Sequence, residues 1–152
     1  VKVNGTPVSG AVKTDKGYWM IQRSWQPGDT VSCEMEMEPE RVYAHPMVRA
    51  DAGCVALRRG PIIYTFEGVD NGEDLQTLRI PREAKIEALP YQADLLEGIV
   101  ALRVTGCRKK AAVNPALYAE DVAPEETVTL QAIPYYAWCN RGMTHMRVWM
   151  QE

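Results

Sequence analysis

Alternation of apolar and polar residues with a period of two is the feature that most constrains this chain. Thr30-Val-Ser-Cys-Glu-Met-Glu-Met37 puts Val31, Cys33, Met35 and Met37 on one face and Ser32, Glu34 and Glu36 on the other, the pattern of a half-buried strand. Ile99–Thr105 and Thr127–Ile133 are rich in β-branched residues and read as strands, as do Tyr18–Trp25, Val55–Leu57 and Met146–Met150. Turn signals separate them: Asn4-Gly5, Pro27-Gly28-Asp29, Gly60-Pro61, Asp70-Asn71-Gly72 and Asn140-Arg141-Gly142. Short strands at this spacing predict an all-β fold, an antiparallel β-sandwich of jelly-roll type with little helix. The best helical candidate is Pro115–Glu120, with Asn114 as its cap and Pro115 at the first helical position. The clearest hairpin runs along Val128–Cys139, turns at Asn140-Arg141-Gly142 and returns along Thr144–Met150. Its return places Met146, Val148 and Met150 on one face and His145, Arg147 and Trp149 on the other. The stretch from Lys109 to Glu126 reads as a surface loop.

The 152 residues, 46% of them hydrophobic, supply enough material for a real core. With 17 Lys and Arg against 20 Asp and Glu and no basic run, the chain is not expected to bind nucleic acid, which demands concentrated positive charge. No apolar stretch approaches the roughly 18 residues of a membrane helix, so no membrane partner is expected. Val1-Lys2-Val3-Asn4-Gly5 carries neither an initiator Met nor the basic and apolar segments of a signal peptide, and reads as a strand entering a turn; the chain is expected to be cut from something longer. Any targeting segment would precede Val1, so the compartment stays open, with a cytoplasmic setting preferred. Cys33, Cys54, Cys107 and Cys139 form no CxxC pair and read as buried free thiols rather than as a zinc or dithiol site.

Little in the sequence marks a reaction centre. Glu34, Glu36 and Glu38 share a strand face, as acid–base work would require, but alternating Glu is also what a solvated face carries. His45 and His145 have no identifiable nucleophile partner, and read as ordinary loop and sheet residues. Asp70-Asn-Gly-Glu-Asp74 lacks the third-position and twelfth-position ligands of a calcium loop and reads as a turn. Asn4-Gly5-Thr6 fits a glycosylation sequon, and a hairpin turn accounts for it equally. Trp19, Trp25, Trp138 and Trp149, with seven Tyr, suit core packing, interfaces or sugar stacking.

An ordered series of strings goes further. Gly17-Tyr18, Ile21-Gln-Arg-Ser-Trp25, Gly28-Asp29, Ala44-His45-Pro46 and Val55-Ala-Leu-Arg-Arg-Gly-Pro61 are followed by Tyr64 and Glu67. Later come Ile133-Pro-Tyr-Tyr-Ala-Trp-Cys-Asn-Arg-Gly142 and Met146–Trp149. Together they resemble the C-terminal region of the β-L-arabinofuranosidase family of glycoside hydrolases, family 127, over nearly the whole chain.

The resemblance implies a helical (α/α)6 barrel upstream, holding a cysteine nucleophile and a zinc-binding Cys/Glu cluster, followed by β-sandwich domains. Residues 1–62 would then be the end of a middle sandwich and residues 63–152 the C-terminal one. No catalytic residue and no metal ligand maps onto this chain, zinc being expected in the barrel, so the isolated chain is expected to be inactive. The implied partners are the upstream catalytic domain of the same protein and a second copy in a homodimer. Tyr135, Tyr136, Trp138 and Trp149 are interface candidates, and Arg141 is expected to face a neighbouring domain. The rival reading makes the chain a carbohydrate-binding module that stacks sugars on those same aromatic residues.

Overall fold

The computed structural model describes residues 1–10, 12–110, 118, 120 and 122–152. These fall into two compact units, Val1–Glu36 and Met37–Glu152. The junction expected after residue 62 lies within the second unit, inside a hairpin described below.

In the first unit, β1 (Lys2–Val3) turns back through Asn4-Gly5 into β2 (Thr6–Pro7). Asn4 and Gly5 have φ of 51° and 77°, the left-handed pair that a two-residue hairpin turn requires. β3 (Val12–Lys13) pairs with β4 (Trp19–Met20), and β5 (Val31–Ser32) pairs with β1. The Asn4 side chain donates to Asp29 Oδ1 at 2.7 Å and accepts the Thr30 N–H at 2.9 Å, tying the turn to the approach of β5.

Here the alternation overstates the structure. Of Thr30–Met37 only Val31–Ser32 forms a strand, and most of the face expected to be inward is outward, with Val31 53% and Met35 75% exposed and only Met37 half-buried. Tyr18–Trp25 likewise contracts to Trp19–Met20, both exposed. An apolar strand face is buried only when a second layer lies on it, and among the described residues of this unit only Val3 belongs to a buried hydrophobic core.

In the second unit the strands are β6 (Pro39–Val42), β7 (Cys54–Arg59), β8 (Ile62–Glu67), β9 (Leu78–Arg79) and β10 (Ile86–Ala88). β11 (Leu102–Lys109), β12 (Glu125–Pro134), β13 (Met146–Arg147) and β14 (Met150–Gln151) complete them. A one-turn helix, α1 (Gly68–Asn71), follows β8, where the sequence predicted a plain turn. Gly72 closes it by donating its N–H to the Gly68 carbonyl at 2.7 Å.

Gly60-Pro61 makes the β7–β8 hairpin, bringing Arg59 opposite Ile62. β8 then leaves β7 for β12, pairing Tyr64 with Pro134 and Phe66 with Ala132. β12 runs antiparallel to the whole of β11, β11 to β9, and β14 lies between β9 and β7. Because β8 pairs with β7 at its start and with β12 further along, the pairing returns to β7 and closes on itself. β6, β10 and β13 branch from this circuit. The outcome is all-β with little helix, as predicted.

β11 alternates buried and exposed as its sequence demands, sending Leu102 and Val104 inward. They join Val55, Leu57, Tyr64, Phe66, Leu75, Leu78, Ile80, Leu130 and Met150 in the main core. A smaller cluster gathers Ile99, Ala101, Ile133 and Ala137. Ile99 itself precedes β11 and bridges to Gln92, so the strand expected over Ile99–Thr105 begins later and runs further.

The expected late hairpin does not form. Pro134 lacks the N–H that a continuing ladder would use, and the chain enters a 3-10 turn at Tyr135–Ala137. The return splits in two, β13 pairing with β8 and β14 with β7 and β9. Nor are the four thiols all buried: they are free, but Cys33 and Cys139 are exposed, the first beyond the end of β5 and the second in a turn. The helical candidate at 115–120 lies outside the described residues, apart from Tyr118 and Glu120.

Candidate functional site

β8 has both faces covered. Tyr64 and Phe66 enter the core, while Thr65 and Glu67 are buried on the other side beneath the segment 138–147. A buried carboxylate must be paired and hydrogen-bonded to be tolerated, and Glu67 is both. Its Oε1 accepts the Cys139 N–H at 2.6 Å, and its Oε2 takes Arg141 Nη2 at 2.5 Å. Arg141 also grips Asp70 of α1 through Nη1 at 2.9 Å and Nη2 at 2.5 Å. The hydrogen bonds to Asp70, then those to Glu67, hold the guanidinium pKa above its ordinary value against the opposing effect of burial. Cys139 adopts a left-handed φ of 63° in making its bond.

Asn71 pins the same corner from beneath. Its amide donates to the Glu67 and Gln131 carbonyls at 2.8 and 2.9 Å, and its Oδ1 accepts the Gln131 N–H at 2.9 Å. The His145 carbonyl accepts the Gly68 N–H at 2.9 Å, and Thr144 Oγ1 accepts that of Val69 at 3.1 Å. A cleft of about 600 Å³ opens here between Val69, Glu73, Arg141, Met143, Thr144 and His145. Arg141 is thus held by two carboxylates of its own unit, and with both on it this corner is built as a fastening.

The other candidates separate. Tyr135 and Trp149 line one open cleft of about 570 Å³ with Ile63, Met146, Arg147 and Val148. Tyr136 borders another, of about 400 Å³, with Leu96, Glu97 and Asn140. Trp138 is partly exposed and donates its N–H to the Tyr135 carbonyl at 3.3 Å. His45 caps a turn, its Nδ1 accepting the Met47 N–H at 3.2 Å, and Glu34 pairs with Lys2 at 3.0 Å.

A second polar knot escaped sequence reasoning. Glu152 accepts from Tyr43 at 2.7 Å and from Arg82 at 2.9 and 2.6 Å, with Arg41 at 3.4 Å. Arg82 first, and Tyr43 after it, hold the Glu152 carboxyl below the usual carboxylate range, while the same carboxylate raises the Tyr43 phenol. Among the described residues no three His, Cys, Asp or Glu are grouped to hold a metal ion.

The model of the glycoside hydrolase family 127 C-terminal domain matches residues 39–151. The chain belongs to glycoside hydrolase family 127. Within family 127, it is 36% identical over 157 residues to the non-reducing end β-L-arabinofuranosidase of Bifidobacterium longum, an alignment covering 99% of this chain and 23% of that protein. The solved family 127 β-L-arabinofuranosidase of Geobacillus stearothermophilus superposes with a TM-score of 0.86 at 46% identity, covering 99% of this chain and 24% of the other. A further family 127 β-arabinofuranosidase structure gives 0.81 at 33% identity, covering 99% and 22%. The chain thus spans about a quarter of the length of these relatives, and corresponds to the C-terminal part of such hydrolases, not their catalytic part. The family match begins at residue 39, close to where the second compact unit starts.

Proposed function

We propose that this chain is the non-catalytic β-region of a β-L-arabinofuranosidase-type hydrolase, packing against the upstream catalytic domain and supporting a homodimer. Residues 1–36 would finish a preceding sandwich, and residues 37–152 would form the C-terminal one. The zinc-bearing reaction centre, on this reading, lies upstream.

One observation carries the packing part. The first unit holds Val12, Trp19, Met20, Trp25, Val31 and Met35 exposed, and Val3 is its single buried hydrophobic among the described residues. Ordering each residue costs about 1–2 kcal/mol of backbone entropy, which one buried Val cannot offset across so many residues. The relatives' greater length supplies candidate cover for those side chains.

Adding the upstream region of the longer protein in trans tests this. Trp19 and Trp25 should lose accessibility to acrylamide and their emission should shift to the blue; unchanged quenching in a mixture shown to contain folded partner would overturn the packing reading. Light scattering tests the dimer, which a strict monomer at high concentration would remove.

A further inference from the structure

We propose that Asn4-Gly5 is a site of spontaneous deamidation, which turns the Asn4 carboxamide into a carboxylate and undoes the tie between the first turn and the approach of β5. The reaction is hydrolytic, and water is its only co-reactant. The Gly5 nitrogen attacks Asn4 Cγ, and the new C–N bond closes a succinimide ring. The Cγ–Nδ2 bond breaks, and Nδ2 leaves as ammonia with the proton that the Gly5 nitrogen gave up. Water then opens the ring at Cγ to give aspartate, or at the main-chain carbonyl to give isoaspartate, whose chain runs through Cβ. Glycine after asparagine favours the attack, because it carries no side chain to obstruct its own nitrogen.

The chain holds two Asn-Gly pairs, and the structure separates them. At Asn71-Gly72 the Asn71 amide is buried and bonded to Glu67 and Gln131. The Gly72 N–H, whose nitrogen would attack, donates to the Gly68 carbonyl at 2.7 Å. A Cβ on Gly72 would lie 3.2 Å from Arg108 Nη2, so the approach is crowded as well. At Asn4-Gly5 each of these is reversed. Both residues are exposed, the Gly5 N–H has no acceptor among the described residues, and a Cβ on Gly5 would meet nothing within 4 Å. Asn4 must release its bonds to Asp29 and Thr30 to react, but these are exposed, and water replaces an exposed partner at little cost.

The effect on the turn follows from what each group can donate. Asn4 Nδ2 donates to Asp29 Oδ1 at 2.7 Å, and the Gln26 N–H first, then Asn4, hold the Asp29 carboxyl below its ordinary range. A carboxylate in place of that amide has no proton to give, so two like charges would face each other there. The isoaspartate form also adds a backbone atom to a turn whose φ of 51° and 77° suits two residues.

Ageing the whole 152-residue chain in mildly alkaline buffer, followed by peptide mass mapping and labelling with an isoaspartate methyltransferase, tests the site. In the folded chain the peptide holding Asn4 should gain the mass of an amide-to-acid change and take up label about tenfold faster, or more, than the peptide holding Asn71. In urea the two should convert at similar rates. The aged chain and Asn4→Asp should both be cut faster by protease within residues 1–36, with the rest as resistant as before. If Asn4→Asp leaves the first unit unfolded, Asp29→Asn decides: its amide can donate to the new carboxylate, so ageing should convert Asn4 without hastening the cut. Asn4 unchanged in the folded chain for as long as the urea-unfolded chain takes to convert, or Asn71 keeping pace with Asn4, would overturn the site. Conversion of Asn4 with residues 1–36 as protected as before would overturn the loss of the tie.

Discussion

Glu67 sits at the end of β8 with its side chain fully buried, a place where a lone carboxylate could not remain charged at modest cost. Arg141 and the Cys139 N–H answer that charge, and Asp70 then occupies the rest of the arginine fork. Removing one partner of such a pair costs more than the pair contributes, because the other is left buried and unanswered. Arg141→Ala should therefore lower stability by about 3–5 kcal/mol, read as a shift in the urea midpoint. Arg141→Lys should recover part of this and not all, since an ammonium cannot hold Asp70 with two parallel bonds while reaching Glu67. Equal stability of Arg141→Ala and the parent would show that the fastening carries no load. None of this was legible along the chain: Arg141 is 74 residues from Glu67 and 71 from Asp70, and no local pattern announces a contact of that span.

Among the elements, β11 and β12 were the most readable. Each strand's alternation is matched against a long antiparallel partner, from Leu102 opposite Ala132 to Lys109 opposite Glu125, so the local pattern and the tertiary surroundings agree. Met146–Met150 carries a similar pattern and misleads, because its two ends pair with different strands and Val148-Trp149 between them belong to neither. The run at Thr30–Met37 misleads for another reason, the lack of a layer over its apolar face. A glycine in β11 marks a tight crossing that periodicity could not reveal. A Cβ on Gly106 would strike the Leu130 side chain and lie 2.9 Å from the Arg79 carbonyl oxygen. Gly106→Ala should consequently destabilise by about 1–3 kcal/mol, although alanine ordinarily favours a strand over glycine. A melting temperature unchanged or raised would mean that β9 and β11 give way there more easily than their pairing suggests.

At the scale of the whole molecule, the two units should differ in how firmly they are held. Limited proteolysis should cut first around residues 36–37 or within the first unit, leaving a resistant fragment close to Met37–Glu152, and amide exchange should be faster before the cut than after it. Equal protection of residues 1–36 in the isolated chain would contradict the reading that their apolar side chains await a cover. The closed pairing of the second unit has a temporal consequence. β7, at Cys54–Arg59, is flanked at its start by β14, at Met150–Gln151, and β14 is also what connects it to β9. During synthesis β7 and β9 emerge long before the strand that joins them, so the ring of strands stays open until Met150 and Gln151 have left the ribosome. Completion of this unit waits for that last strand, and until then its neighbouring edges depend on other strands, or on chaperones, to keep them from pairing elsewhere.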